Sequence, residues 1–107
     1  MFKQVKMIQQ MEIADIDLKL VADGVYSGDF TYGRFTYEVE VAVKDHKIEN
    51  IKMLKNRDSK YAKMAEGVIE RIVQNQSPKV DAVTGATTTS KALMKAVENA
   101  LNKGVQK

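Results

Sequence analysis

Between residues 35 and 43 the chain reads FTYEVEVAV. Phe35, Tyr37, Val39, Val41 and Val43 fall on one side of a period-two pattern, and Thr36, Glu38, Glu40 and Ala42 on the other. Successive side chains of a strand point to opposite faces, so this segment predicts a strand near 35–44 with one face buried. Upstream, DGVYSGDFTYGRF predicts a strand near 23–32 that runs into a hairpin around Tyr32, Gly33 and Arg34. Downstream, KDHK marks a tight turn, in which Asp45 suits an opening position and His46 a left-handed backbone. KIENIKML then returns as a partner strand near 47–54. Its apolar residues Ile48, Ile51 and Met53 are spaced three and then two apart, which calls for a bulge. Three strands joined in this way form an antiparallel meander.

At Lys60 the period changes. Tyr61, Met64, Ala65, Val68, Ile69, Ile72 and Val73 recur at helical spacing and predict an amphipathic helix near 60–75, with Asp58 or Ser59 as its cap and Pro78 beyond its end. Gly67 lies inside that stripe and lowers helix propensity by about 1 kcal/mol relative to Ala. KVDAV predicts a short strand near 79–83. Leu93, Val97, Ala100 and Leu101 predict a second helix near 87–103, closed by Gly104. The resulting class is α+β, a twisted antiparallel sheet packed by two helices. Residues 1–22 show no sustained period and read as a lead-in, either a short helix or an extended segment, to a domain at 23–107.

Composition narrows the chemistry. At 107 residues the chain makes one domain with one modest core, and 44% hydrophobic with 29% charged residues is an ordinary balance for a soluble fold. No apolar run approaches membrane-spanning length. The first twenty residues lack a continuous apolar stretch, so either the protein stays in the cytoplasm or a leader lies outside this sequence. The absence of Cys excludes disulfides, thiolate metal sites and cysteine nucleophiles, and the single His46 excludes a His-rich metal site.

The net charge of +3 hides an asymmetry: residues 11–45 hold eight acids against three bases, and residues 52–79 hold seven bases against three acids. The basic stretch contains a single aromatic, Tyr61, and no nucleic-acid-binding motif, so its charges read as a solvated helix face and nucleic acid is not an expected partner.

The stretch that stands apart is DAVTGATTTSKAL, residues 81–93, which gathers Thr84, Thr87, Thr88, Thr89 and Ser90 where a helix is about to begin. A helix start leaves four backbone N–H groups without intrahelical partners and carries partial positive charge, which suits a phosphate. Gly85 lets a backbone approach a ligand closely and Ala86 keeps the approach narrow. Ser and Thr are also ordinary N-caps, and one cap at a helix start needs no ligand. One cap accounts for one hydroxyl, however, and five are present. The spacing is not that of a Walker P-loop, and no Ser–His–Asp arrangement includes His46.

Asp81, then Ala82 and Val83, then Thr84-Gly85-Ala86-Thr87 resembles the flavinylation motif of the FMN-binding domain family, which includes domains of the sodium-pumping NADH:quinone oxidoreductase and of the Rnf electron-transport complex. The resemblance extends from DGVYSGDF through YEVEVAVKDHKIENIKML to QSPKVDAVTGATTTSKALMKAVENAL, roughly residues 23–102. His46 departs from it, since the family favours Gly at that turn.

The resemblance implies one FMN esterified through its phosphate to Thr87, with Thr84, Gly85 and Ala86 completing the motif. It also implies a separate flavin transferase that uses FAD and Mg²⁺, for which Asp81 and Thr84 serve as recognition residues. Thr88, Thr89 and Ser90 then cap the helix or bond the phosphate. It further implies an electron carrier rather than a stand-alone enzyme, exchanging electrons with redox proteins or membrane electron-transport partners. Such a carrier is expected outside the cytoplasm, secreted or tethered by a leader or anchor that this sequence does not contain.

Phe30, Tyr32 and Phe35 could stack on a flavin ring. The plainer reading is core packing for Phe35 and exposure for Tyr32, and Met64 and Met94 on helical stripes likewise read as core. Two other functions fit the residues: a module that binds FMN or another phosphorylated ligand without a covalent bond, and a flavin-free interaction module using its acidic and basic faces.

Overall fold

A computed structural model of the chain describes residues 13, 15–32, 35–56, 60–83 and 87–105, with backbone alone at 32 and 60–62. Strands β1 (Gly24–Tyr32), β2 (Phe35–Lys44) and β3 (Lys47–Lys55) form an antiparallel sheet in the order β1-β2-β3. The alternation in β2 becomes burial: Tyr37, Val39 and Val41 are fully enclosed and Val43 nearly so, while Thr36, Glu38, Glu40 and Ala42 are half-buried on the other face. Between β2 and β3 the two-residue turn places Asp45 at φ 53° and His46 at φ 62°. Positive φ at both central residues is the type I′ pattern, whose twist matches that of the flanking strands. The Asp45 N–H also donates to the Asp23 carboxylate at 2.9 Å.

The bulge expected in β3 is present, and a second accompanies it. Val43 faces Ile48 but Ala42 faces Asn50, so Glu49 is the extra residue. Val39 faces Met53 but Glu38 faces Lys55, which leaves Leu54 as the second. Both lie on an edge strand, where bulges disrupt a regular ladder and discourage further pairing.

The single helix expected over 60–75 is two helices, α1 (Lys60–Ala65) and α2 (Gly67–Asn75). The break falls at Glu66. Its N–H reaches back only three residues, to the Lys63 carbonyl at 3.2 Å, and the Ile69 N–H does the same to the Glu66 carbonyl at 3.0 Å. Gly67, with the poorest helix propensity in the stretch, sits beside the break, and the Glu66 carboxylate accepts the Asn56 amide at 2.7 Å. Ala65, Val68 and Ile72 are buried as the stripe predicts, but Met64 is 41% exposed. The proposed caps Asp58 and Ser59 lie outside the described residues.

Residues 79–83 do not form the expected short strand. Their backbone polar groups are met by side chains instead, as described below, and buried Pro78 just before them has no N–H to offer a ladder.

Helix α3 (Thr87–Lys103) lies against β1 and β2 and supplies Ala92, Leu93, Met94, Ala96, Val97, Ala100 and Leu101 to the core. The lead-in wraps onto this core: Ile13 and Val21 are buried, Val21 bridges Val105, and the Ala22 N–H donates to the Gly104 carbonyl at 2.9 Å. A 3₁₀ turn at Leu18–Leu20 is held to the β2–β3 turn by a hydrogen bond between His46 Nδ1 and the Leu18 carbonyl at 3.2 Å. Among the described residues no helix is long and apolar enough to cross a membrane.

Candidate functional site

Thr84, Gly85 and Ala86 lie outside the described residues, and the site is built from what flanks them. On the upstream side, Asp81 is exposed and Ala82 and Val83 are half-buried. Arg71, on the outer side of α2, reaches across to this segment: its Nη1 donates to the Asp81 carbonyl at 2.9 Å and to the Ala82 carbonyl at 3.1 Å. The next backbone group is met from the downstream side, where the Val83 N–H donates to the Ser90 hydroxyl at 3.1 Å.

On that downstream side the hydroxyls separate by helical phase. Each residue of a helix turns about 100° from the last, so residues two or three apart face different surroundings. Thr87 is exposed, Thr88 is half-buried, Thr89 is 6% exposed and Ser90 is fully enclosed. Thr89 and Ser90 therefore belong to the core side of α3. Thr87 alone of the four presents its side chain freely to solvent, at the positive end of a 17-residue helix.

Beside the upstream segment runs an open groove of about 620 Å³, lined by Arg71, Asn75, Lys79, Val80, Asp81 and Ala82. Its two cations stand next to the exposed Asp81. Phe30 and Phe35 are half-buried and pack against the core, which agrees with the plainer reading for Phe35; the Tyr32 side chain lies outside the described residues. Met94 is fully buried, also as expected.

Arg71 was not among the residues that the sequence singles out. It lies on the polar side of an amphipathic stripe, ten residues from its partners, and nothing in its neighbours marks it. The inward turn of Ser90 follows from the stripe of α3, since Leu93, Val97 and Leu101 lie three, seven and eleven positions further along the same helix.

The model of the FMN-binding domain family matches residues 32–102, roughly two thirds of the chain, from the end of β1 almost to the end of α3. The chain belongs to the FMN-binding domain family. No curated protein matches it. The match takes in Asp81 to Thr87, so the residues that carry the motif lie inside the family's domain. The described residues fit a flavin phosphate: an exposed hydroxyl at the start of a 17-residue helix is the kind of place an anionic ester takes.

Proposed function

We propose that this domain is an electron carrier holding one FMN through a phosphoester to Thr87. The observation that carries the reading is the exposure of Thr87 beside the burial of Thr89 and Ser90. Of the described hydroxyls at the junction, the one that the motif's register selects is the one that another molecule can reach. Thr88 is half-buried and already engaged.

The Thr87 hydroxyl would act as the nucleophile while a separate flavin transferase supplies FAD and Mg²⁺. Its Oγ forms a bond to the phosphorus of the FMN half and the pyrophosphate P–O bond to the AMP half breaks. AMP leaves, and the hydroxyl proton passes to the transferase or to solvent. No group is oxidised or reduced in this step. Asp81 is exposed and available as a recognition residue. Once attached, the phosphate would sit at the N-terminus of α3, beside its unpaired backbone N–H groups.

The isoalloxazine ring supplies the redox chemistry, and the protein supplies its tether and the field around it. Electron exchange would be with redox proteins or membrane electron-transport partners, at a site outside the cytoplasm.

The test is intact-protein mass together with visible absorbance after denaturation, for the chain produced with and without an active flavin transferase. A gain of one FMN less water that survives denaturation and vanishes in Thr87→Ala supports the tethered carrier. Flavin that is lost on denaturation would leave a non-covalent FMN module, no flavin at all an interaction module, and a gain that persists in Thr87→Ala would move the bond to another hydroxyl.

A further inference from the structure

We propose that Arg71 is a positioning residue for flavin attachment, holding residues 81–82 in the shape that the transferase recognises; this rests on the covalent reading above. Among the described residues, 79–83 have no sheet partner, so no ladder there fixes their backbone. Two side chains do so instead. The Arg71 Nη1 bridges two successive carbonyls, at 2.9 and 3.1 Å, and the Ser90 hydroxyl takes the following N–H at 3.1 Å. Three consecutive residues of the motif, 81–83, are thus held from two different helices, on the upstream side of the acceptor.

Arg71 stands on a helix packed into the core. Val68 and Ile72 on the same helix are fully buried, and the Arg71 carbonyl accepts the Asn75 amide at 2.7 Å. A guanidinium can span two carbonyls from one nitrogen and still offer donors on its other nitrogens, which an ammonium on a flexible stem does less well. Arg71 is itself exposed, so its role at this place is not the filling of a core.

A loose recognition segment must be ordered when an enzyme grips it, and that cost appears as weaker binding; a segment already held in shape avoids it. Arg71 does not touch the Thr87 hydroxyl in any hydrogen bond of the structure, so its influence belongs to recognition of the domain and not to the bond-making step.

The test uses the full chain as the substrate of a flavin transferase competent on other proteins with this motif, at saturating FAD and Mg²⁺. The rate of flavin attachment is followed by fluorescence and intact mass as the concentration of the chain is varied. For Arg71→Met, KM for the chain should rise roughly tenfold while kcat changes less than about twofold, as expected for lost pre-organisation. Arg71→Lys should recover part of that loss. Lys79→Gln, which removes a charge from the same groove but no bond to the segment, should stay within about twofold of the parent, because an exposed charge acts mainly through screened long-range attraction.

Equal loss in Lys79→Gln and Arg71→Met would replace positioning by electrostatic attraction. An unchanged KM in Arg71→Met, with the parent chain flavinylated, would overturn the positioning role and leave the covalent reading intact. A parent chain that accepts no flavin would overturn both. Thermal unfolding of each variant accompanies the kinetics, and should Arg71→Met fail to fold, an unchanged KM in Arg71→Lys would be enough to reject the proposal.

Discussion

The fully enclosed hydroxyl of Ser90 accepts the backbone N–H of Val83 at 3.1 Å, tying together two positions seven apart on either side of Thr87. Removing the hydroxyl leaves that N–H without its partner in a half-buried place. An unmet buried donor costs more than the net worth of the bond it lost, so Ser90→Ala is expected to lower stability by about 1–2 kcal/mol. Urea unfolding followed by circular dichroism measures this directly. A loss below a few tenths would mean that water replaces the hydroxyl without penalty.

Gly28 in β1 sets how closely α3 approaches the sheet. A Cβ at that position would stand 2.7 Å from the Ala100 Cβ and nearer still to the Ala96 carbonyl oxygen and the Ala100 nitrogen. These are backbone atoms of a packed helix, which cannot swing aside as the end of a long side chain can. Gly28→Ala should therefore destabilise by upwards of about 2 kcal/mol, seen as a lower thermal midpoint or loss of the folded state. Asn99, whose amide reaches the Asp29 carbonyl at 2.9 Å, would lose its contact in the same displacement.

The same chemical change should have the opposite sign at Gly67. There, among the described residues, a Cβ would meet the Val83 Cγ2 at an ordinary 3.7 Å, and the backbone needs no left-handed conformation. Gly67→Ala is expected to stabilise the protein by about 0.5–1 kcal/mol, through better helix propensity and a less free unfolded chain. A lower unfolding midpoint would show that the break at Glu66 depends on glycine for more than propensity.

These two glycines also mark where the chain's pattern speaks and where it is silent. The alternation of β2, the left-handed His46 and the bulge of β3 were legible because each is decided by neighbours in sequence. Helix α3 runs over the 87–103 that its apolar stripe predicts, since seventeen residues of period 3.6 leave little ambiguity. The close approach at Gly28 was not legible, because its partners lie about seventy residues away. The expected strand at 79–83 failed for a related reason: KVDAV has the composition of a strand, but its carbonyls are claimed by Arg71 and its last N–H by Ser90. Within the site, the motif's register pointed to Thr87, while the residues that hold the motif in place come from tertiary structure.

Gln76 tests two opposed effects at the end of α2. It sits in the left-handed region at φ 54°, where glycine would relieve a cost of about 1–2 kcal/mol. Its side chain, however, makes three bonds: Oε1 accepts the Ile48 N–H at 2.7 Å, and Nε2 donates to the Ile48 and Val73 carbonyls at 3.0 and 2.7 Å. Three partly buried bonds at about 1 kcal/mol each outweigh the relief, and the backbone groups of Ile48 would be left unmet. Gln76→Gly should therefore destabilise by about 1–2 kcal/mol in urea unfolding. A gain in stability would mean that the strained backbone is the larger effect.

The hydroxyls at the start of α3 should separate cleanly into chemical and structural roles. Thr87 is exposed, and surface substitutions away from caps and cores usually change stability by less than about 0.5 kcal/mol. Thr87→Val should therefore keep its unfolding midpoint yet lose covalent flavin, while Thr87→Ser, which retains a hydroxyl at the same place, should still accept it. Thr89 is buried on the core side, so Thr89→Val should still carry the flavin and show its effect, if any, in stability alone. Intact mass and thermal unfolding on the same four samples, parent chain included, read both quantities. Loss of flavin in Thr89→Val with an unchanged midpoint would contradict this division, because a side chain enclosed in the core would then be acting on the attachment itself.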